Sequence, residues 1–229
     1  MRNHLIIGAS SGIGRALSAQ LVAENHSVYG TFNKNAAPQG ITAQHLDVTT
    51  GFFDTDFLPD VLDGFTYCPG AIELKPFNRL DRKELHSDIH LQVIAAVEIL
   101  QSILPRLKKS ENPSIVFFST VAVQAGFNYH SQVAISKGAI EGLTRSLAAE
   151  FAPKIRVNAI APSLTDTPLA AQLLSSEKKR EINADRHPLK RIGSAEDIAE
   201  TAAFLLSEKS SWMSGQIIHV DGGMSSIKA

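Results

Sequence analysis

Three glycines stand close together near the start of the chain, in Gly8-Ala9-Ser10-Ser11-Gly12-Ile13-Gly14. An apolar run, Leu5–Ile7, precedes them, and a stretch with Ile13, Leu17 and Leu21 at i, i+4 spacing follows. Glycine lets a backbone turn sharply and approach a ligand closely. A helix N-terminus adds free N–H groups and the positive end of its dipole. A glycine turn between a strand and a helix is therefore built to hold a dinucleotide pyrophosphate, and the context carries more weight than the letters. The second strand ends Thr31-Phe32-Asn33-Lys34-Asn35 without an acid. A carboxylate there would bond the adenine ribose hydroxyls and repel a 2′-phosphate. Lys34 and Asn33 favour NADP(H) over NAD(H), with Arg15 as a further contributor. The alternative is that Lys34 is a solvated turn lysine.

Positioning such a turn requires alternating strands and helices, and the pattern provides them. Strands are expected at Leu5–Ile7, Ser27–Phe32, Thr42–Leu46, Gly64–Cys68, Ser114–Ser119, Ile155–Ile160 and Gln216–Val220. Helices are expected at Ile13–Glu24, Leu80–Lys108, Ser131–Phe151, Pro168–Ala184 and Ala195–Leu206. Alternation of this kind means a parallel sheet covered on both faces. With no linker or repeat, residues 1–229 read as one domain.

Bulk properties narrow the partners. The chain has 229 residues, 44% hydrophobic and 20% charged, with a net charge of −1. No field of one sign is expected, which argues against nucleic acid or an anionic membrane. One cysteine, Cys68, excludes an internal disulfide and a multi-cysteine metal site, and no metal is expected. No apolar run reaches ~18 residues, and the N-terminus enters a strand with no room for a signal peptide. The expectation is a cytoplasmic protein.

The spacing G-x-x-x-G-x-G resembles that of the short-chain dehydrogenase/reductase family, and other segments agree in order across nearly the whole chain. Leu46-Asp47-Val48 looks like the family's adenine-contacting turn, although Asp47 also reads as a helix N-cap. Val157-Asn158-Ala159-Ile160-Ala161-Pro162 looks like its sixth strand. The loop that follows, with Ser163, Thr165 and Thr167, would cover the nicotinamide. Arg191-Ile192-Gly193 with Glu196-Asp197-Ile198-Ala199, and Ser214-Gly215-Gln216 through Val220-Asp221-Gly222-Gly223, resemble its late helix and terminal strand. The nearest branch is 3-oxoacyl carrier-protein reductase. The resemblance implies a doubly wound Rossmann fold with a largely seven-stranded parallel sheet.

It also implies where chemistry belongs. Family members carry a tyrosine and a lysine four apart on the fifth helix, a serine on the preceding strand and an asparagine on the fourth helix. Lys137 matches the lysine, but Val133 stands where the tyrosine belongs, and valine has no proton to give. Thr120 takes the serine position and can still bond a carbonyl. His90 takes the asparagine position. The usual Asn-Asn-Ala-Gly reads Tyr67-Cys68-Pro69-Gly70, and Ser163 replaces the glycine after Pro162. Tyr129 and His130 are further proton sources to weigh, the first only if the chain there is loop. His90 is the better placed by position. Each of the three also reads as an ordinary structural or rim residue.

Two functions follow. One is an NADP(H)-dependent oxidoreductase acting on a carbonyl or hydroxyl group with a non-standard proton donor. The other is a non-catalytic NADP(H) binder serving as a structural or regulatory subunit. A cofactor-independent isomerase or lyase ranks last, since no acid–base pair is readable for it. The lid segment, residues 163–186, combines Leu164, Leu169, Leu173 and Leu174 with Lys178-Lys179-Arg180. It suits a small-molecule or acyl substrate, and a solvated helix face explains the basic run equally well. Ile135, Ala139, Leu143 and Leu147 form a stripe on the fifth helix, with Ala148 and Ala149 allowing close approach. Together with the family's habit it implies a homo-tetramer, or else a dimer.

Overall fold

Alternation along the strands decides where the layers go. In β1 (Asn3–Ile7), Leu5 and Ile7 join one apolar cluster and Ile6 the other. In β5 (Ser114–Phe118), Ile115 and Phe117 face the first cluster, while Val116 and Phe118 face the second. Side chains on a strand point to opposite faces in turn, so a strand apolar at every position needs cover on both sides.

The computed structural model describes residues 1–228. The other strands of the main sheet are β2 (Ser27–Phe32), β3 (Thr42–His45), β4 (Gly64–Tyr67) and β6 (Arg156–Pro162). Two short strands, β7 (Thr165–Asp166) and β8 (Gly193–Ser194), pair apart from it, and β9 (Ile217–Val220) forms its last edge. The order is β3-β2-β1-β4-β5-β6-β9, and every neighbouring pair is parallel. The chain winds outward from β1 to β3, then returns to lay β4 on the other side of β1. A crevice forms beyond the carboxyl ends of the strands where the winding reverses.

Helices α1 (Gly12–Ala23) and α7 (Ala195–Leu206) cover one face through Leu17, Leu21, Ile198, Ala202 and Leu205. The other face takes α3 (Ala95–Lys109) and α5 (Ser131–Phe151), through Ile99, Ile103, Leu107 and Ile140. A short α4 (Ala122–Ala125) precedes α5. The α5 helix ends where Ala152 turns extended, at a ψ of 144°, because Pro153 disfavours a helical predecessor.

Two expectations change. The helix expected at Leu80–Lys108 is α2 (Arg82–Ile89), a π-helical turn at His90–Ile94, and α3. Pro105 does not end it, since it sits on the exposed side, where water can take the carbonyl that it leaves unbonded. Within Arg82–Lys109 the most apolar 18-residue window reaches a mean hydropathy of 1.3, enough by length and composition alone for a membrane span. Its apolar side is the one packed into the core described above. Lastly, Pro168–Ala184 is not one helix. A 3₁₀ turn at Pro168–Ala170 gives way to turns, and α6 (Glu177–Asp185) starts afresh. Ser176 caps α6, its Oγ accepting from the Lys179 amide at 3.3 Å. Serines favour such caps over helix interiors.

Candidate active site

A cleft of about 730 Å³ opens beyond the C-terminal ends of β1 through β6. Its floor is the glycine turn. The Gly8 amide donates to Thr31 Oγ1 at 3.0 Å, and the Ala9 amide donates to the Thr31 carbonyl at 2.8 Å. Gly8 has a φ of +81°, and a Cβ built at Gly14 would stand 2.3 Å from the Gly8 carbonyl oxygen. Only glycine lets α1 start this close to β1. Ser11 precedes α1 without a side-chain cap, and no acid lies in the helix's first turn. The turn thus offers backbone donors and no repelling charge, a donor set that fits a pyrophosphate. Thr167 closes over it, within 3.3 Å of a Cβ built at Gly12.

The residues expected to touch a cofactor border this one cleft. They are Ser10, Ser11, Ile13, Asn33, Lys34, Asp47, Val48, Cys68, Pro69, Gly70, Pro162, Ser163, Thr165, Thr167 and the three glycines. Lys34 is exposed on its rim, while Arg15 lies outside. Asp47 Oδ1 accepts from the Thr49 hydroxyl at 2.7 Å and its amide at 2.9 Å, and these bonds hold the carboxyl below the usual range. It caps a turn rather than a helix.

Thr120, Val133 and Lys137 line the same cleft. Val133 is buried on α5, one turn before Lys137. Burial pulls the Lys137 ammonium down to about 8, while Asp88 and then Cys68 pull it upward. Burial pushes the Cys68 thiol up to about 12, so it is no thiolate at neutral pH.

His90 does not border the cleft; Gln92 does. The π-helical turn starting at His90 adds a residue to that turn and changes which side chains face inward. Gln92 is buried and donates through Nε2 to Asp88 Oδ1 at 2.7 Å, while Ser136, next to Lys137, donates to the other Asp88 oxygen. The remaining Gln92 oxygen has no partner. It lies 3.4 Å, and Lys137 Nζ 3.7 Å, from a Cβ built at Gly70. Sequence reasoning missed Asp88, Gln92 and Ser136. The i, i+4 spacing of Asp88 and Gln92 was the available signal.

Tyr129 lies in a loop, as its inward reach required, but is 58% exposed and does not border the cleft. His130 does, with Nδ1 2.8 Å from the Asn128 carbonyl. Leu164, Leu169 and Leu173 give the cleft an apolar wall, while Leu174 is buried behind it. Of the basic run, Arg180 pairs with Asp166 at 2.7 Å, and Lys179 Nζ donates to the Gln172 carbonyl and to Ser175 Oγ. Two of its three cations are thus engaged within the chain.

Fold and cleft together define a dinucleotide-binding α/β protein. A family model described as enoyl-(acyl carrier protein) reductase matches residues 8–225. The chain belongs to the short-chain dehydrogenase/reductase family. It is 32% identical to the Bacillus subtilis protein named uncharacterized oxidoreductase YmfI, covering 96% of this chain and 97% of that one. It is 31% identical to the 3-oxoacyl-[acyl-carrier-protein] reductase FabG of Thermotoga maritima, covering 96% of each. Among solved structures, the ligand-free aldohexose dehydrogenase of Thermoplasma acidophilum superimposes with a TM-score of 0.88 at 27% identity, over 100% of this chain and 96% of that one.

Proposed function

We propose that the chain is an NADP(H)-dependent oxidoreductase that interconverts a carbonyl and a hydroxyl group, with a proton donor other than the family's tyrosine. The supporting observation is a single cleft bordered by the glycine turn, Lys34, Lys137 and Thr120 together. When bound, the nicotinamide supplies or removes the hydride. The backbone of the glycine turn would hold the pyrophosphate, Lys34 and Asn33 the 2′-phosphate, and Lys137 the nicotinamide ribose. Thr120 would orient the substrate oxygen with its hydroxyl. The apolar wall from the lid suits a small or acyl substrate. Ile135, exposed on α5, and the open β9 edge support a homo-tetramer, with a dimer as the next choice.

Val133 favours a second reading, a dinucleotide binder without turnover that serves as a structural or regulatory subunit. One experiment separates the two. NADPH binding is followed by fluorescence, and NADPH oxidation is followed across ketones, aldehydes and 3-oxoacyl thioesters. Saturable oxidation with at least one substrate is expected. Binding without oxidation across the panel would refute the enzyme and favour the subunit.

A further inference from the structure

Ser163 follows Pro162 at the end of β6, and its Oγ lies 2.8 Å from Nε2 of His187. On the far side of the ring, Nδ1 lies 2.7 Å from the carbonyl oxygen of Asn183 on α6. A carbonyl only accepts, so Nδ1 carries the proton. In the neutral ring Nε2 is then the acceptor, and the Ser163 hydroxyl donates to it. His187 is 3% exposed and held at both nitrogens.

Ser163 also stands beside Thr120. The Val121 amide donates to the Pro162 carbonyl at 3.1 Å, so each of the two hydroxyl residues is one position from a shared hydrogen bond. Ser163, His187, Thr120, Val133 and Lys137 border the same cleft. The other candidates lack this arrangement. His90 and Tyr129 lie off the cleft, and His130 has no hydroxyl partner to carry its proton inward.

Resting on the oxidoreductase reading above, we infer that Ser163 and His187 form the proton relay that replaces the missing phenol. Ser163 is the catalytic residue at the substrate oxygen, and His187 is the positioning residue that feeds it. In reduction, the carbonyl carbon takes a hydride from a reduced nicotinamide dinucleotide, and its oxygen takes the Ser163 hydroxyl proton. Ser163 Oγ simultaneously takes the Nε2 proton of protonated His187. His187 is left neutral, with Nδ1–H still on the Asn183 carbonyl, and regains a proton from water. Oxidation runs the same transfers in reverse.

Ser163→Ala should lower kcat by about 10²–10⁴-fold, the ordinary loss for a general acid, with KM little changed. Ser163→Thr restores a hydroxyl and should recover most of the rate. His187→Gln keeps a hydrogen-bond partner for Ser163 but no transferable proton, so its kcat should fall as in Ser163→Ala. Wild-type kcat in His187→Gln would mean that the ring only orients the serine, and would overturn the relay. A second readout needs no turnover. Side-chain ¹H–¹⁵N spectra of the cofactor-free protein should show His187 protonated at Nδ1, with an Nε2 signal that moves in Ser163→Ala. Protonation at Nε2 alone would overturn the proposal. Turnover that survives Ser163→Ala sinks the relay alone. A wild-type protein that oxidises no NADPH sinks the oxidoreductase reading and the relay with it.

Discussion

Gly14→Ala tests whether the glycine turn is a pyrophosphate cradle. The new Cβ would lie 2.3 Å from the Gly8 carbonyl oxygen, 3.1 Å from its carbon and 3.2 Å from Cys68 Sγ. An unstrained carbon–oxygen contact needs roughly 3.3 Å, so β1 and α1 must part by about 1 Å. Neither yields easily. Thr31 holds the Gly8 and Ala9 amides, and Leu17 and Leu21 anchor α1 in the core. Overpacking of this kind costs about 1–3 kcal/mol. In a domain of this size that lowers Tm by about 2–4 °C per kcal/mol. The same 1 Å displaces every amide aimed at the phosphates, which should weaken NADPH binding by about 10²-fold. Fluorescence titration and a thermal melt measure both effects. Gly142 calibrates the melt, since a Cβ there meets nothing within 4 Å and the change to alanine should stabilise α5 by roughly 1 kcal/mol. A Gly14→Ala protein that binds NADPH as tightly as wild type would refute the cradle.

Lys34→Ala should weaken NADPH binding about fivefold, the loss of one exposed charge contact, and leave NADH binding unchanged. Equal effects on both cofactors would remove the 2′-phosphate role. Val133→Tyr places a phenol about 6 Å along the axis from Lys137, and should raise kcat for carbonyl reduction by 10-fold or more; no gain would mean that the cleft is not arranged for a donor there. Ile135→Asp should dissociate the assembly in sedimentation experiments, and a wild-type monomer at micromolar concentration would refute the assembly. Lys137 loses its charge as pH rises through about 8, well below the lysine value of ~10.4, because burial disfavours the ammonium. NADPH affinity should therefore fall between pH 7 and 9 in the wild type and stay flat in Lys137→Met. The same shift penalises folding fully below pH 8, and that penalty lifts towards ~10.4, so unfolding free energy should rise across this interval more than in Lys137→Met.

The elements that the sequence predicts best are those with local stop signals. Ser131–Phe151 ends at Pro153, and Ala195–Leu206 begins with Ser194 and Asp197 capping each other's amides. Where the signals compete, prediction fails. Ser175 and Ser176 break the helix expected at Pro168–Ala184, and nothing local announces the π-helical turn at His90, which moves Gln92 rather than His90 into the cleft.

The site divides in the same way. Its nucleotide half is built from backbone, and backbone that must bend or approach closely needs glycine, which is visible in any sequence. Its chemical half is built from side chains that meet only on folding. Ser163 and His187 are 24 residues apart, and Asp88 and Ser136 are 48 apart. On the function proposed above, Val133 stands where the family's proton donor would be and leaves the glycine turn untouched. The scaffold constrains the two halves separately, since the Gly14–Gly8 approach depends on β1 and α1, while the proton path depends on which hydroxyl a histidine happens to support. A chain of this family can therefore keep its cofactor half intact while the proton's route changes, and hydrogen bonds are the place to look for the new route.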